Sequence, residues 1–213
     1  MRVFELEIAM PDFGSRATLL LPSNVIHVPC VKQRTDFSCG AAATLSLLRY
    51  WEPDAFEDAR EDDLFEPLQT TEAGGTEPEP IAAYLRDVVG LDATYVNGDV
   101  TLAQLERAID ARQPPIVDLQ AWRDDHKPWP EIWDAGHYVL LVGYDAENLF
   151  FMDPSVLSPG PYAYLPRAEL DERWHDLAGP KDQRVWRMTL FVRGDGAHWT
   201  PDGSEPRTAT RMG

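Results

Sequence analysis

Apolar and polar residues alternate at the start of the chain. Residues 4–8 place phenylalanine, leucine and isoleucine at every second position, with glutamates between them, which is the pattern of a strand with one buried face. A second short apolar segment covers residues 17–21, and residues 25–31 are expected to run extended. We therefore predict that residues 1–27 form an N-terminal strand extension.

The most apolar segment is residues 41–51, where alanines are followed by large side chains with little polar relief. Apolar residues on every side predict a helix that is buried, and Glu52 with the proline after it ends this helix. A threonine followed three residues later by glutamate or glutamine predicts two further helix starts, at Thr76 and Thr101.

Shorter apolar runs predict strands in the second half of the chain. A short helix is expected over residues 167–176, and the Gly-, Pro- and Thr-rich residues 194–213 predict a flexible tail. The pattern indicates an α+β fold, in which the helix from Cys39 packs on a twisted antiparallel sheet in a domain of residues 28–193. The predicted strands are 93–96, 116–119, 137–144, 149–153, 162–165 and 185–192.

The charge of the chain argues against some classes of binding partner. Its 213 residues are 44% hydrophobic and carry a formal net charge of −17. The length suits one domain with a real core, whereas the acidic surface repels nucleic acids and anionic membranes. Between residues 52 and 79, eleven acidic residues stand against one arginine. This block predicts either a solvated face or a site for basic ligands.

The chain contains two cysteines, Cys30 and Cys39. That is too few for a disulfide framework and indicates a reducing compartment. The N-terminal residues are charged where a signal peptide is apolar, and no run approaches the roughly 20 apolar residues of a spanning helix. We therefore expect a cytoplasmic protein without membrane insertion. No pair of histidines or cysteines has metal-ligand spacing, so we expect no metal and no other cofactor.

Cys39 combines features that suit a catalytic nucleophile. A thiol attacks as the thiolate, and a helix start favours negative charge through its field and its free N–H groups. Attack on a carbonyl leaves charge on oxygen, which needs positioned donors. The backbone N–H of Cys39 and the side-chain amide of Gln33 are the candidates. The alternative for Cys39 is a buried structural cysteine, which is what we expect of Cys30.

His137 is the best candidate for the general base, because it enters an apolar strand directly after Gly136. A carboxylate that orients the ring assists such a base, and Asp153 ends the next predicted strand. A symmetric hairpin would place Asp153 opposite Leu140 rather than His137, so we predict an offset or a bulge in the register. A buried structural histidine and an Asp-Pro turn are the alternatives.

Three tryptophans lie in the predicted loop that precedes His137. Such residues either pack against the core or form one wall of a substrate cleft. We name Trp122, Trp133 and Gly136 as the candidate substrate-binding residues, since all three are close to the candidate base in the sequence.

The order of these motifs resembles that of a known family. Gln33, then Cys39-Gly-Ala, then His137-Tyr-Val, then Asp153-Pro, looks like the papain-like cysteine peptidases. More narrowly, it resembles the bacteriocin-processing peptidases that remove double-glycine leader peptides. The resemblance covers about residues 28–192 and implies a papain-like fold with a peptide or protein substrate. The four positions would serve, in that order, as oxyanion glutamine, nucleophile, general base and orienting aspartate.

Members of that family are often fused to a membrane transporter with a nucleotide-binding domain. This sequence has neither a spanning helix nor a phosphate-binding loop, so we expect a stand-alone form of unknown oligomeric state. The same scaffold would support a thiol acyltransferase or transpeptidase, in which an amine or thiol replaces water. A third interpretation is a peptide-binding module with an inactive site. The acidic surface favours basic peptides through electrostatic steering.

Overall fold

A mostly antiparallel sheet forms the centre of the computed structural model, which describes residues 17–123, 126–179, 183–195 and 198–213. Within these residues the sheet has eight strands, and one neighbouring pair near an edge is parallel. In spatial order the strands are β1 (Thr18–Leu20), β10 (Thr208–Arg211), β6 (Tyr162–Pro166), β5 (Asn148–Met152), β4 (Gly136–Tyr144), β3 (Ile116–Gln120), β9 (Thr189–Arg193) and β2 (Asp92–Val96).

Helix α1 (Cys39–Trp51) packs against β4 in the middle of this sheet. It is buried on nearly every side, as its apolar sequence predicts, so the expected arrangement of helix and antiparallel sheet is confirmed. The capped helix start at Thr101 is also confirmed, because Thr101 and Gln104 exchange side-chain and backbone hydrogen bonds. The other α-helices of the described residues are α2 (Pro53–Phe56), α3 (Pro78–Ala83) with a π-helical turn (Tyr84–Val89), α4 (Leu102–Asp110) and α5 (Arg167–Arg173).

The helix start predicted at Thr76 is wrong, because α3 begins at Pro78 without a side-chain cap. The Thr76 hydroxyl instead forms a 2.8 Å hydrogen bond with the Thr70 hydroxyl. A Cβ added at Gly40 would come within 2.7 Å of the Thr76 Cβ. Glycine at the second position of α1 therefore lets the Thr76 loop lie directly against the first helical turn.

The helix predicted over residues 167–176 is shorter than expected. Helix α5 ends at Arg173, and the chain turns into β7 (His175–Ala178). This strand pairs with β8 (Gln183–Trp186) in a separate two-stranded sheet. The last part of the predicted helix is therefore a strand that lies beside the end of β3.

The single strand predicted over residues 185–192 is also wrong, since it divides at Arg187 into β8 and β9. Arg187 has a φ of 55°, which lies in the left-handed region. Residues other than glycine rarely adopt this conformation, and a regular strand does not contain it. Its backbone N–H donates to the Trp174 carbonyl at 2.8 Å. The turn thus depends on a contact with a distant residue, which the local apolar pattern does not report.

The flexible tail predicted after residue 193 is wrong for residues 208–211, which form β10 between β1 and β6. Ala209 and Met212 are buried, so this segment adds apolar side chains to the core. The domain bounds 28–193 stay a prediction. The strand predicted over residues 4–8 lies outside the described residues.

The hairpin of β4 and β5 contains a β-bulge, as its spacing predicts. Leu141 and Gly143 pair with consecutive residues of β5, so Val142 is the extra residue. The Val142 carbonyl accepts the Ile26 N–H at 2.7 Å. A Cβ at Gly143 would come within 3.3 Å of the Val25 Cα, so the glycine gives this extended segment room to cross. The bulge therefore lies where this segment crosses the hairpin.

Candidate active site

Cys39 is the first residue of α1 and is half-buried. The turn before it is fixed by Ser38, whose hydroxyl oxygen accepts the Thr35 N–H at 3.2 Å and the Thr35 hydroxyl at 2.7 Å. No acidic residue lies in the first turn of α1, so nothing there opposes the field of the helix start. The thiol lines an open cleft.

His137 and Asp153 are buried in direct contact. The Nε2–H of His137 donates to Asp153 Oδ1 at 2.8 Å, and only 1% and 6% of the two side chains are exposed. Without the bulge, Asp153 would lie opposite Leu140, whose side chain points to the other face of the sheet. With it, the register extends to Asp153 opposite Val139, on the face that Val139 shares with His137.

The His137 ring interacts with both the thiol and the carboxylate. Burial by itself lowers the pKa of His137, but hydrogen bonds to Asp153 and Cys39 and the charges of both raise it to about 9. Burial by itself raises the pKa of Asp153, yet the His137 hydrogen bond and charge, the Ser155 N–H and Lys32 lower it below its usual range. Since Nε2 contacts the carboxylate, Nδ1 is the ring nitrogen that is left for the thiol.

Lys32 holds the loop that follows Asp153, a role that its place in the sequence did not predict. Its ammonium donates to the carbonyls of Asp153, Ser155 and Gly160 at 3.0, 2.7 and 2.9 Å. The backbone N–H of Gln33 donates to the same loop at 2.8 Å. The one available signal was a lysine next to the candidate oxyanion glutamine, in a chain with three lysines.

Gln33 is buried near the start of α1, with 5% of its surface exposed. Its amide nitrogen donates to the Thr35 carbonyl at 2.7 Å, which leaves the second amide hydrogen available. The amide oxygen has no hydrogen-bond partner among the described residues. Exchanging the two amide atoms would bring oxygen against the Thr35 carbonyl, so the nitrogen is fixed as the donor.

The three candidate substrate-binding residues have different surroundings. Trp122 packs on the His137 ring, with 4.8 Å between ring centroids, and covers the base. Trp133 lines the cleft beside Cys39 and packs on the His175 ring, with 4.4 Å between centroids. Gly136 also lines the cleft. The structure thus places Trp133 and Gly136, but not Trp122, in the wall of the Cys39 cleft.

The cleft beside Cys39 has a volume of about 520 Å³ and is strongly acidic. No lysine or arginine within the described parts of the chain lines it. Two of its acidic residues come from the block between residues 52 and 79, most of which is exposed. The carboxyl groups that line it belong to Asp36, Glu72, Glu77, Asp118, Asp134 and Asp176.

Two of these carboxyl groups, on Asp118 and Asp176, were missed as site residues. Asp118 Oδ1 accepts the backbone N–H of His137 at 3.1 Å, and Asp176 Oδ1 accepts the Gln120 amide at 2.9 Å. The sequence placed Asp118 within a buried strand and Asp176 at a helix end. A charged residue inside an otherwise apolar strand was the signal that pointed to Asp118.

The helix that presents Cys39 and the sheet that carries His137 define the papain-like fold of cysteine peptidases. Solved structures share it. A double-glycine-motif protease from an AMS/PCAT transporter, in complex with its leader peptide, is 15% identical, with a TM-score of 0.52 over 82% of this chain and 97% of that one. A Bacillus anthracis protein assigned as a C39-like peptidase is 18% identical, with a TM-score of 0.56 and the same coverage, 82% and 97%.

The peptidase domain of Streptococcus ComA, a bi-functional ABC transporter, is 17% identical, with a TM-score of 0.53 over 79% of this chain and 100% of that domain. The model of the Peptidase_C39-like family matches residues 25–181. The chain belongs to this family, which confirms the predicted resemblance. No curated protein matches the chain. In the part of the chain that the structure describes, no helix has the length and apolarity needed to cross a membrane.

Proposed function

We propose that the chain is a cysteine peptidase that hydrolyses peptide bonds with Cys39, His137, Asp153 and Gln33. One observation carries the proposal. The imidazole of His137 contacts a buried carboxylate through Nε2 and also interacts with a thiol at a helix start. This arrangement supports acyl transfer through a thiol, in which a base activates the nucleophile and a third group orients the base.

In the first half-reaction, His137 Nδ1 takes the proton of Cys39, and the sulfur bonds to the carbonyl carbon of the substrate. The electron pair that moves to oxygen is stabilised by the Cys39 N–H and the Gln33 amide, each worth roughly 3 kcal/mol in comparable sites. The imidazolium then gives its proton to the nitrogen as the C–N bond breaks. The amine leaves, and the acyl group remains on sulfur as a thioester.

In the second half-reaction, His137 takes a proton from water, and the hydroxide oxygen bonds to the thioester carbon. The C–S bond breaks, the sulfur regains its proton, and the product leaves as a carboxylic acid. Asp153 keeps Nδ1 directed at the reacting atoms and stabilises the imidazolium in both half-reactions. Atoms and charges balance with water as the co-substrate.

A peptide or protein is the substrate that the site supports best. The similar double-glycine-motif protease was solved with its leader peptide, and here an open cleft of about 520 Å³ runs beside Cys39. We infer a cytoplasmic location from the low cysteine content, which suits a reducing compartment.

A peptide-library digest read by mass spectrometry tests the proposal. We expect the wild type and Cys30→Ala to give the same products, since Cys30 is exposed, not buried as predicted, and does not line the cleft. Cys39→Ala should give none. Products that persist unchanged in Cys39→Ala would contradict a thiol peptidase. Adding an amine acceptor to the same digest separates hydrolysis from acyl transfer, because a transferase gives a ligated product.

A further inference from the structure

Two carboxyl groups lie against each other in the Cys39 cleft. Asp118 on β3 is 3% exposed, and Asp176 on β7 is half-buried. The approach depends on Gly136, because a Cβ there would come within 1.9 Å of Asp176 Oδ2. Since even alanine would displace Asp176, the glycine is required for this arrangement of the cleft.

Neighbouring groups hold each carboxyl group in place. The His137 backbone N–H donates to Asp118 Oδ1 at 3.1 Å. The Gln120 amide nitrogen donates to Asp176 Oδ1 and to the His175 carbonyl, each at 2.9 Å. The Gln120 amide oxygen in turn accepts a backbone N–H at 2.9 Å. Hydrogen bonds from His137 and Gln120 therefore orient the two carboxyl groups.

The pair lacks a countercharge within the described residues. No ion pair there involves either carboxyl group, and no cationic side chain lines the cleft. Burial, and then the neighbouring Asp176, raise the pKa of Asp118 well above its usual range. Burial also raises the pKa of Asp176. Both acids therefore favour their neutral form, and a positively charged ligand nearby would favour their ionised form.

We propose that Asp118 and Asp176 form a subsite that binds the cationic side chain of a substrate lysine or arginine beside the Cys39 thiol. Both carboxyl groups line the cleft that contains the thiol, so a residue held there belongs to the peptide segment next to the scissile bond. An ammonium or guanidinium bound there would supply a positive charge beside the two carboxyl groups. The other acidic residues of the cleft would attract such a side chain.

The carboxyl groups, and not the aromatic wall of the cleft, would bind the cation. The Trp133 ring already packs on His175, with 4.4 Å between centroids, and on the Arg184 guanidinium, 4.5 Å from its centroid. The position of the subsite relative to the cut bond rests on the proposed peptidase activity, but binding of the basic residue does not.

A binding experiment tests the subsite without catalysis. In Cys39→Ser, a fluorescent peptide series would carry arginine, or the neutral isostere citrulline, at each position in turn, and fluorescence anisotropy would give the Kd values. We expect tighter binding of the arginine peptide at one position. Asp176→Asn in the same background should reduce this preference roughly tenfold, because a desolvated charge pair contributes more than an exposed one. Equal reduction by Asp58→Asn would indicate general charge steering and overturn the proposal.

Asp58→Asn is the matched control, because Asp58 is exposed, lies outside the cleft and gives the same change in net charge. Asp118→Asn provides a second variant that keeps an acceptor for the His137 N–H. Each preference is a ratio within one variant, so a loss of folded protein does not change it. No arginine preference at any position, or an unchanged preference in both variants, would show that the pair is only structural and overturn the subsite.

The same peptides distinguish this proposal from the peptidase proposal. If the wild type cleaves no peptide while the Cys39→Ser protein prefers arginine, the subsite stands and the peptidase proposal fails. If the wild type cleaves arginine and citrulline peptides with equal kcat/KM at every position, the peptidase stands and the subsite fails.

Discussion

His137 belongs to one of two pairs of side chains that each include an aspartate, and its backbone contacts the other. The pairs differ in whether the described residues supply a countercharge. The ring of His137 bonds the buried Asp153, and each partner favours the charged form of the other. The backbone N–H of His137 bonds Asp118, which lies against Asp176, and burial raises the pKa of both these acids. The first pair has its countercharge within the chain. The second has none among the described residues, which is why we assign the first to catalysis and the second to a ligand.

Replacing His137 breaks the first pair and should have the largest effect. We expect His137→Ala to lower kcat/KM by about 10³-fold or more, because the base and the acid of both half-reactions are lost. The variant should also lose the rapid reaction of Cys39 with iodoacetamide at pH 6, since nothing then takes the thiol proton. Mass-spectrometric labelling rates check this. Rapid labelling of Cys39 in His137→Ala would contradict the assigned base.

The two pairs should change the pH dependence of the free energy of unfolding in opposite directions. The pKa of Asp153 is lowered and that of His137 is raised from about 6.5 to about 9. The ion pair therefore stabilises the fold between the unfolded pKa values, roughly 3.9 for aspartate and 6.5 for histidine. This stabilisation is lost as pH falls through the folded pKa of Asp153 or rises through about 9.

We accordingly expect Asp153→Asn to lower the free energy of unfolding near pH 6 by about 3 kcal/mol, a typical loss for a broken buried pair. Asp118→Asn should behave oppositely. The raised pKa of Asp118 makes the wild type lose stability as pH rises above about 3.9, so the variant should gain on the wild type by on the order of 1 kcal/mol toward neutral pH. Urea unfolding at several pH values checks both. If the free energy of unfolding changed with pH in the same way in both variants, the two pairs would not differ as we infer.

Gly136→Ala should break the second pair and leave the first, with a smaller effect. The new Cβ displaces Asp176 from Asp118, so we expect the preference for arginine over citrulline to fall about tenfold, or about 1.4 kcal/mol. Iodoacetamide labelling of Cys39 at pH 6 should change little. Gly160→Ala is the control, because nothing lies within 4 Å of a Cβ there. A slowed labelling rate in Gly136→Ala alone would show that the two pairs are coupled.

The sequence named four candidate site residues but not all of their surroundings. Gln33, Cys39, His137 and Asp153 were chosen by residue type and order, apolar runs located their elements, and the structure brings His137 and Asp153 into contact. Symmetric pairing would have put Asp153 on the wrong face. The need for a bulge followed from the spacing, but its place at Val142, whose carbonyl accepts the Ile26 N–H of the crossing segment, did not.

The residues that escaped prediction act through contacts between distant parts of the chain. Lys32 binds carbonyls more than 120 residues away, and only the fold brings those carbonyls together. Asp118 and Asp176 are 58 residues apart and meet because α5 ends at Arg173. Strand β10 inserts beside β6 rather than beside a neighbour in sequence. No local pattern of apolar and polar residues specifies such contacts.

The extra residue in β4 has a consequence for how relatives of this chain are recognised. A protein with one residue fewer between its histidine and its aspartate would form a regular hairpin, in which the aspartate still lies opposite the second residue after the histidine. Both side chains would then stay on one face of the sheet. A motif search that demands the spacing of this chain would miss such a protein, whereas a search that allows one residue fewer would include it.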